Sequence, residues 1–490
     1  MTGSMVESVA DTTEDEVDAI VRAAAGAAAP WAALELADRA RVLRGIADRL
    51  DAQAAELIPL AMRETHLSEP RLVGELKRTS FQLRLFTQTV LDGEFLDVRI
   101  DAADADWPMG APRPDLRRMN IPLGPVVNFA ASNFPFAFSV AGGDTAAALA
   151  AGCPVIVKAS PGHPMLSRAV GALVDAAVAE AGAPRGTFGL VFGRDAGVQA
   201  LTHPDVAAAA FTGSTAGGRA LYDLASRRPV PIPFYGELGS INPVFVTPDA
   251  AEAQTEEIAT GLLTAVSTSA GQLCTKPGLV AVPAGAPVLG KLAELIRTRP
   301  MPTGQLLNDA IADGFARAVE QVRAHPDVEV LGGGESDEAL LLITTARTVL
   351  ADRDQLMHEM FGPATLLATY QDTAELLELA SALDGQLTVS VFGEHADDTA
   401  RALLTAAASA AGRVLWNSWP TGLSVTYAQQ HGGPYPATTA PGSTSVGTAA
   451  IARFLRPVAY QSVPDDLLPP PLRAQNPLAV PRSVNGARAQ

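Results

Sequence analysis

Cysteine is scarce in this chain. Two residues in 490, Cys153 and Cys274, exclude a disulfide framework or a four-cysteine zinc site and fit a reducing compartment. Cations are also in deficit: 36 lysines and arginines stand against 53 aspartates and glutamates, a formal net charge of −17. That sign argues against a nucleic-acid partner, which requires clustered cations. The start, MTGSMVESVADTTEDEVDAI, is acidic and lacks a basic segment followed by an apolar one, so no secretory signal is expected. Long apolar runs are missing too. The uncharged stretch 119–143 is broken by Pro122, Pro125 and Pro135, and 258–275 is crowded with Thr and Ser, so neither reads as a lipid-facing helix. A protein of the cytoplasm without membrane or nucleic-acid partners is expected. The seven histidines show no HExxH and no paired ligand spacing, so no metal site is expected. The absence of a GxSxG elbow disfavours an α/β-hydrolase.

What is present is an ordinary globular composition, 48% apolar and 18% charged, long enough for roughly three domain-sized units. VDAIVRAAAGAAAPWAAL and RARVLRGIADRLDAQAAELIPLAMRET carry apolar residues at three- and four-residue spacing and predict helices. Residues 102–122, rich in Pro, Asp and Arg, read as a boundary or a protruding arm. From 123 short β-rich runs (PVVNFA, PVIVKAS, FGLVFG, VAAAAFTGS) alternate with alanine-rich helical ones, and the alternation resumes after 241 and runs to about 447. That alternation predicts βαβ units, parallel sheets and an α/β fold. FLRPVAYQSV reads as one more strand, and the proline-rich tail from Pro464 as extended.

Several residues are candidates for chemistry. FTGSTAGG follows an apolar run at 211–218, so Gly213, Ser214 and Gly218 are either phosphate neighbours at a helix start or a structural turn. Cys274, in the polar, glycine-bearing STSAGQLCTKPG, is either a nucleophile or a bystander. Cys153, in AGCPVIV, reads as core. Glu237, in YGELGSINP, is a desolvated general base or a turn glutamate. Asn133, in ASNFPFAF, satisfies backbone or donates to an oxyanion. Lys158 ends the strand VIVKASP, where a lysine is often merely solvated.

Singly these are weak; their order is not. Asn133-Phe134-Pro135, Lys158, the FTGS turn at 211–214, Glu237-Leu238-Gly239, Gly271-Gln272-x-Cys274 and Glu359-x-Phe361-Gly362-Pro363 occur in the order seen in the aldehyde dehydrogenase superfamily. The resemblance runs from about residue 15 to 463. PDLRRM, ASNFPFAFSVAGGDTAAALAAGCPVIVKASPGHP, GELGSINPVFV, GQLCTKPGLV, HGGPYPATT and TSVGTAAIARFLRPVAYQ resemble its ketoglutarate-semialdehyde branch, which is close to NADP-dependent fatty-aldehyde dehydrogenases.

The resemblance implies two Rossmann-like parallel-sheet domains and a small β oligomerisation arm. Residues 1–101 and 123–238 would bind cofactor, 239–447 would carry catalysis, and 102–122 with 448–463 would form the arm of a homodimer or homotetramer. The tail would be 464–490. Cys274 would attack an aldehyde to give a thiohemiacetal, its oxyanion held by Asn133 and the Cys274 backbone N–H. After hydride loss to a nicotinamide, Glu237 would activate water against the thioester. Lys158 and Glu359 would bind ribose hydroxyls, Ser214 and its glycines the pyrophosphate, and Phe361 would pack near the nicotinamide. Many NAD-preferring relatives have a glutamate where this chain has Pro161. Its absence favours NADP, with NAD still usable; His163, Arg168 and Arg194 are the nearby cations, and Lys158 and Ser160 the nearby donors. Phe134, Arg84 and His431 would line the substrate side, Arg84 facing a substrate carboxylate or simply solvent, and His431 lying near the site or on a loop. The expected reaction is oxidation of 2,5-dioxopentanoate to 2-oxoglutarate. The small residues Ala137 and Ala141 leave room for a longer chain, so a medium- or long-chain aldehyde dehydrogenase is one alternative. A non-catalytic protein retaining the fold and a cofactor-free cysteine hydrolase are others.

Overall fold

The computed structural model describes residues 9–298, 303–334, 338–394 and 398–489. The first eight residues of the acidic start lie outside the described residues. The chain begins with helices over Glu14–Ala32, Leu36–Ala52, Ala54–Thr65 and Glu69–Asp92. The first opens on a capping box, in which Thr13 Oγ1 accepts the Glu16 N–H while the Glu16 carboxylate accepts the Thr13 N–H at 2.8 Å. Val17, Val21, Ala24, Ala27 and Trp31 form its buried stripe, the three- and four-residue spacing already visible in the sequence.

These helices pack on the first of three sheets formed by the described residues. Its five strands run in the spatial order Phe188–Val191, Val155–Lys158, Val126–Phe129, Ala208–Thr212, Phe234–Glu237, all parallel. Parallel strands covered on both faces read as apolar runs rather than alternating ones, which is why VIV and AAAA are so uniform. The order of strands reverses beside Val126–Phe129, so a ligand crevice opens at the carboxyl ends of the central strands. Lys158, Thr212 and Glu237 each end a strand there.

The second sheet has seven strands: Glu329–Gly332, Leu340–Thr345, Ala364–Tyr370, Leu279–Pro283, Val244–Val246, Gln386–Phe392 and Ala411–Trp416 in spatial order. Only the first pairs antiparallel with its neighbour. Segment 431–445 ties the two sheets together: Leu238 N–H donates to Ala437 O at 2.8 Å beside the first sheet, and Gly385 N–H donates to Tyr435 O at 3.3 Å beside the second.

The third sheet places Leu116–Pro122 between Leu455–Gln461 and Val98–Asp101. The tail departs from the extended segment expected for it. Arg482–Val484 adds in parallel to Val98–Asp101 and turns back into Ala487–Ala489. The turn residues, Asn485 (φ 49°) and Gly486 (φ 80°), are the Asn-Gly pair that a tight hairpin favours because both need positive φ. No described helix is long and apolar enough to cross a membrane.

Candidate active site

Cys274 follows a short turn, Thr268–Gly271, in which Ser269 (φ 53°), Ala270 (φ 53°) and Gly271 (φ 65°) are all left-handed. Non-glycine residues held there store strain that the surroundings must over-determine. Here they do. Gln272 accepts the Leu307 N–H on its Oε1 at 2.8 Å and donates Nε2–H to Ser269 O at 3.1 Å. Asn242 Nδ2 donates to Cys274 O at 2.8 Å and Lys276 O at 3.0 Å. A Cβ at Gly271 would stand 2.2 Å from Gly362 O, so Gly271→Ala is expected to move the whole Cys274 turn and lower activity and thermal stability together. Parallel melting and rate measurements check this.

Around the Cys274 thiol the structure gathers Glu237, His431 and Asn133. His431 Nε2 lies 3.6 Å from Cys274 Sγ and 2.9 Å from Glu237 Oε1. The other carboxylate oxygen of Glu237 accepts Ser445 Oγ–H at 2.7 Å. Both Glu237 and His431 are buried, and His431 Nδ1 has no hydrogen-bond partner among the described residues. Asn133 Nδ2 donates one hydrogen to Gln272 O at 3.1 Å. That fixes the amide and leaves its second N–H for another acceptor.

The electrostatics run against a resting thiolate. Burial, and then the neighbouring Glu237 charge, push the Cys274 thiol well above its ordinary range. Burial alone would raise Glu237 as well, but His431, the Ser445 hydroxyl and the Cys274 thiol outweigh it and hold its carboxyl below the usual value. The site therefore rests as a carboxylate beside a neutral thiol. Cys153, fully buried with its thiol against Phe454 O at 3.4 Å and pushed up to about 11, sits in the core as the sequence suggested.

Of the cofactor candidates, Lys158 and Ser214 stand where strands of the first sheet end, and three others take structural roles. Ser214 caps helix Thr215–Arg227 by accepting the Gly217 N–H at 3.3 Å, so the helix start points backbone N–H groups at an anion. Gly213 has room for no side chain, since a Cβ would meet the Phe211 ring at 2.7 Å. Half-buried Lys158 has its pKa lowered by burial. Glu359 abuts Gly239, where a Cβ would stand 2.6 Å from Glu359 Oε2, and burial pushes its carboxyl up to about 7 against the pull of Lys276. Phe361 is half-buried two residues on, and Arg168 and Arg194 are exposed. Such a crevice, with a capped helix start, a strand-end lysine and a poised carboxyl, fits a dinucleotide.

His163 is not among its cations. Its ring is buried, with Nδ1 3.1 Å from Ser167 Oγ and Nε2 3.1 Å from Ala131 O. Burial drops its pKa to about 4, leaving it neutral. It braces the Asn133 loop instead. Ser160 turns to Ser132, Oγ to Oγ 2.8 Å. Gly218 is buried under Leu238 and Phe211, where a Cβ would lie 2.1 Å from Leu238 Cδ2; its glycine serves helix–sheet packing.

On the substrate side Phe134 stacks edge-on to Phe138, with ring centroids 5.3 Å apart, and Phe138 lies 6.3 Å from the His431 ring. Arg84 does not join them. It pairs with Asp48 and Asp51, each at 2.7 Å, on a partly exposed face. Six residues after Arg78, it is turned roughly 240° around the helix from it. The arginines that do face this aromatic pair are Arg71, 4.4 Å from the Phe134 ring, and Arg78, 5.3 Å from the Phe138 ring. Sequence reasoning missed both, along with Glu75, whose carboxylate accepts the Phe136 and Ala137 N–H groups at 2.8 and 2.9 Å. The signal was available: Arg71, Glu75, Arg78 and Gln82 recur along one helical stripe, and polar residues on a buried stripe are unusual.

Comparison with known proteins agrees with this geometry. The model of the aldehyde dehydrogenase family matches residues 1–437. The chain belongs to the aldehyde dehydrogenase family. It is 46% identical over 470 residues to alpha-ketoglutaric semialdehyde dehydrogenase 2 of Azospirillum brasilense, covering 93% of this chain and 88% of that protein. It is 40% identical over 490 residues to the alpha-ketoglutaric semialdehyde dehydrogenase of Acinetobacter baylyi, covering 98% and 92%. Among solved structures, PnpE in complex with nicotinamide adenine dinucleotide superposes with a TM-score of 0.79 at 22% identity, covering 94% of this chain and 92% of that one. That likeness establishes the fold of this aldehyde dehydrogenase, and its family uses NAD(P) as hydride acceptor.

Proposed function

We propose that this aldehyde dehydrogenase oxidises 2,5-dioxopentanoate to 2-oxoglutarate with NADP, NAD being usable, by covalent catalysis on Cys274. The observation that carries the chemistry is the Cys274–His431–Glu237 cluster, with His431 Nε2 within 3.6 Å of the sulfur and 2.9 Å of the carboxylate. The substrate is the one that names the Azospirillum and Acinetobacter relatives.

The neutral thiol loses its proton to the Glu237–His431 pair as the aldehyde arrives, because a thiolate beside Glu237 is disfavoured until that charge is neutralised. Sulfur attack on the aldehyde carbon puts negative charge on its oxygen, which the spare Asn133 N–H and the Cys274 backbone N–H receive as a thiohemiacetal. When bound, the nicotinamide ring accepts the hydride. Glu237, a carboxylate again once that proton has passed to solvent, then takes a proton from the water that hydrolyses the Cys274 thioester, and the departing sulfur is reprotonated from the same pair. Lys158, Glu359 and Ser214 hold the dinucleotide. Asn133→Ala is expected to cost about 2.7–4 kcal/mol of transition-state stabilisation, read as a lower kcat with cofactor affinity unchanged.

The NADP reading rests on Pro161, exposed in the turn after Lys158, where a carboxylate would repel a ribose phosphate. Pro161→Glu is expected to shift the kcat/KM ratio from NADP toward NAD. A wild-type enzyme that strongly prefers NAD would refute the assignment. The strand Leu455–Gln461 forms an edge of the third sheet and is the proposed pairing edge of a homodimer or homotetramer in the cytoplasm. A second substrate reading draws on the apolar cluster of Ala131, Ala137, Phe138, Val425 and Val446, against which Phe134 packs: this wall suits an uncharged medium-chain aldehyde. Steady-state rates on both substrate classes separate the two.

A further inference from the structure

Helix Glu69–Asp92 turns polar side chains inward where apolar ones are the rule, and they are not used equally. Glu75 has no exposed side-chain surface, and its carboxylate is fully engaged, one oxygen with the Phe136 and Ala137 N–H groups and the other with Arg71 Nη1 at 2.6 Å. Arg78 has no comparable engagement. Both of its terminal nitrogens are buried without a hydrogen-bond partner among the described residues, and so is Arg71 Nη2. A guanidinium carries five donors and no acceptor, and leaving such groups dry and unpaired costs stability. These three nitrogens are therefore donors that the described protein groups do not take up. On this helix face two arginines stand against one glutamate, and only Arg71 is ion-paired with it.

The position of Arg78 matters. Arg78 stands 5.3 Å from the Phe138 ring, which is 6.3 Å from the His431 ring, and His431 reaches the Cys274 sulfur at 3.6 Å. Glu75 and, more weakly, Glu237 favour the charged form of Arg78, against the larger effect of burial. Phe138 lies against both Arg78 and His431, and Phe134 packs edge-on to it, so apolar rings lie alongside the cation and the histidine that meets the nucleophile. This is the layout needed to hold a short chain by one charged end and present its other end to sulfur.

We propose that Arg78, assisted by the free Nη2 of Arg71, is the specificity-determining residue that binds the remote carboxylate of an aldehyde acid by a bidentate fork. The proposal rests on the substrate class inferred above and names the residue that selects it. Planar two-point recognition of a carboxylate suits arginine and not lysine. Glu75 is a positioning residue: by holding Arg71 and the 136–137 backbone together, it fixes the fork relative to the Asn133 loop.

The test measures kcat and KM of wild type, Arg78→Met and Arg78→Lys on 2,5-dioxopentanoate, succinate semialdehyde and hexanal. Methionine keeps the helix face filled without charge, and lysine keeps the charge without the fork. Arg78→Met is expected to raise KM for both acid semialdehydes by about 10–100-fold and to change hexanal by less than about twofold, with lysine recovering part of the loss. Inhibition by added 2-oxoglutarate should weaken in parallel. Equal losses on all three aldehydes in both variants would reduce Arg78 to a packing role and overturn the proposal. Unchanged KM on all three would overturn it as well. The wild-type ratio of acid to uncharged substrate judges the substrate reading separately, because it needs no variant.

Discussion

Cys274→Ala is expected to abolish cofactor reduction while leaving folding and NADP binding intact. The loss should be on the order of 10⁶-fold in kcat, the scale on which covalent catalysts fall when their nucleophile is removed. The reasoning is structural as well as chemical. The Cys274 turn is held by its backbone, through Asn242 and Gln272, so deleting the sulfur removes no contact that shapes the loop. Cys153→Ser is the control. That thiol is fully buried in the hydrophobic core, so its replacement should lower the melting temperature and leave the chemistry of the survivors unchanged. Turnover retained in Cys274→Ala would remove the residue from its role.

Glu237→Gln is expected to produce two effects of opposite sign at one site. Deacylation should slow by roughly 10²–10⁴-fold, the usual contribution of a positioned base, so rapid mixing should show a burst of reduced cofactor followed by a slow phase. The thiol should become more reactive at the same time. In the wild type, burial and then the Glu237 charge hold the Cys274 pKa well above normal, so alkylation by iodoacetamide should keep rising with pH through and beyond the neutral range. Glutamine removes the charge that opposes the thiolate, lowers the thiol pKa and moves that curve toward lower pH. At a fixed neutral pH the variant should therefore alkylate faster while turning over more slowly. A purely structural role for Glu237 would slow both reactions or neither.

These expectations show what a linear reading can and cannot reach. The parallel sheets were legible because apolar strand runs and alanine-rich helices alternate, and the strand-end candidates Lys158 and Glu237 lie where the chain leaves the sheet. The nucleophile and its base were legible through motif order, although they are brought together by a fold that spaces them far apart in sequence. His431 became meaningful only in three dimensions, because nothing in HGGPYP tells which side chain its ring will meet. His163 shows the opposite failure. Next to a glycine turn it looks like a free cation, but burial makes it a neutral brace for Ala131. Arg84 and Arg78 lie on the same helix, and only the angle around its axis separates an exposed ion pair with Asp48 and Asp51 from an unpaired cation near Phe138. In the tail, Asn485-Gly486 carried a hairpin signal that the prolines around it obscured.

The central claim, a dehydrogenase whose pocket selects an aldehyde that bears a remote carboxylate, is tested most directly by wild-type kcat/KM with NADP on 2,5-dioxopentanoate and on hexanal, side by side. The account requires the acid semialdehyde to be favoured by at least about tenfold, the value of one charge-assisted contact. A preference for hexanal by a similar factor would contradict it and assign the enzyme to medium-chain aldehydes.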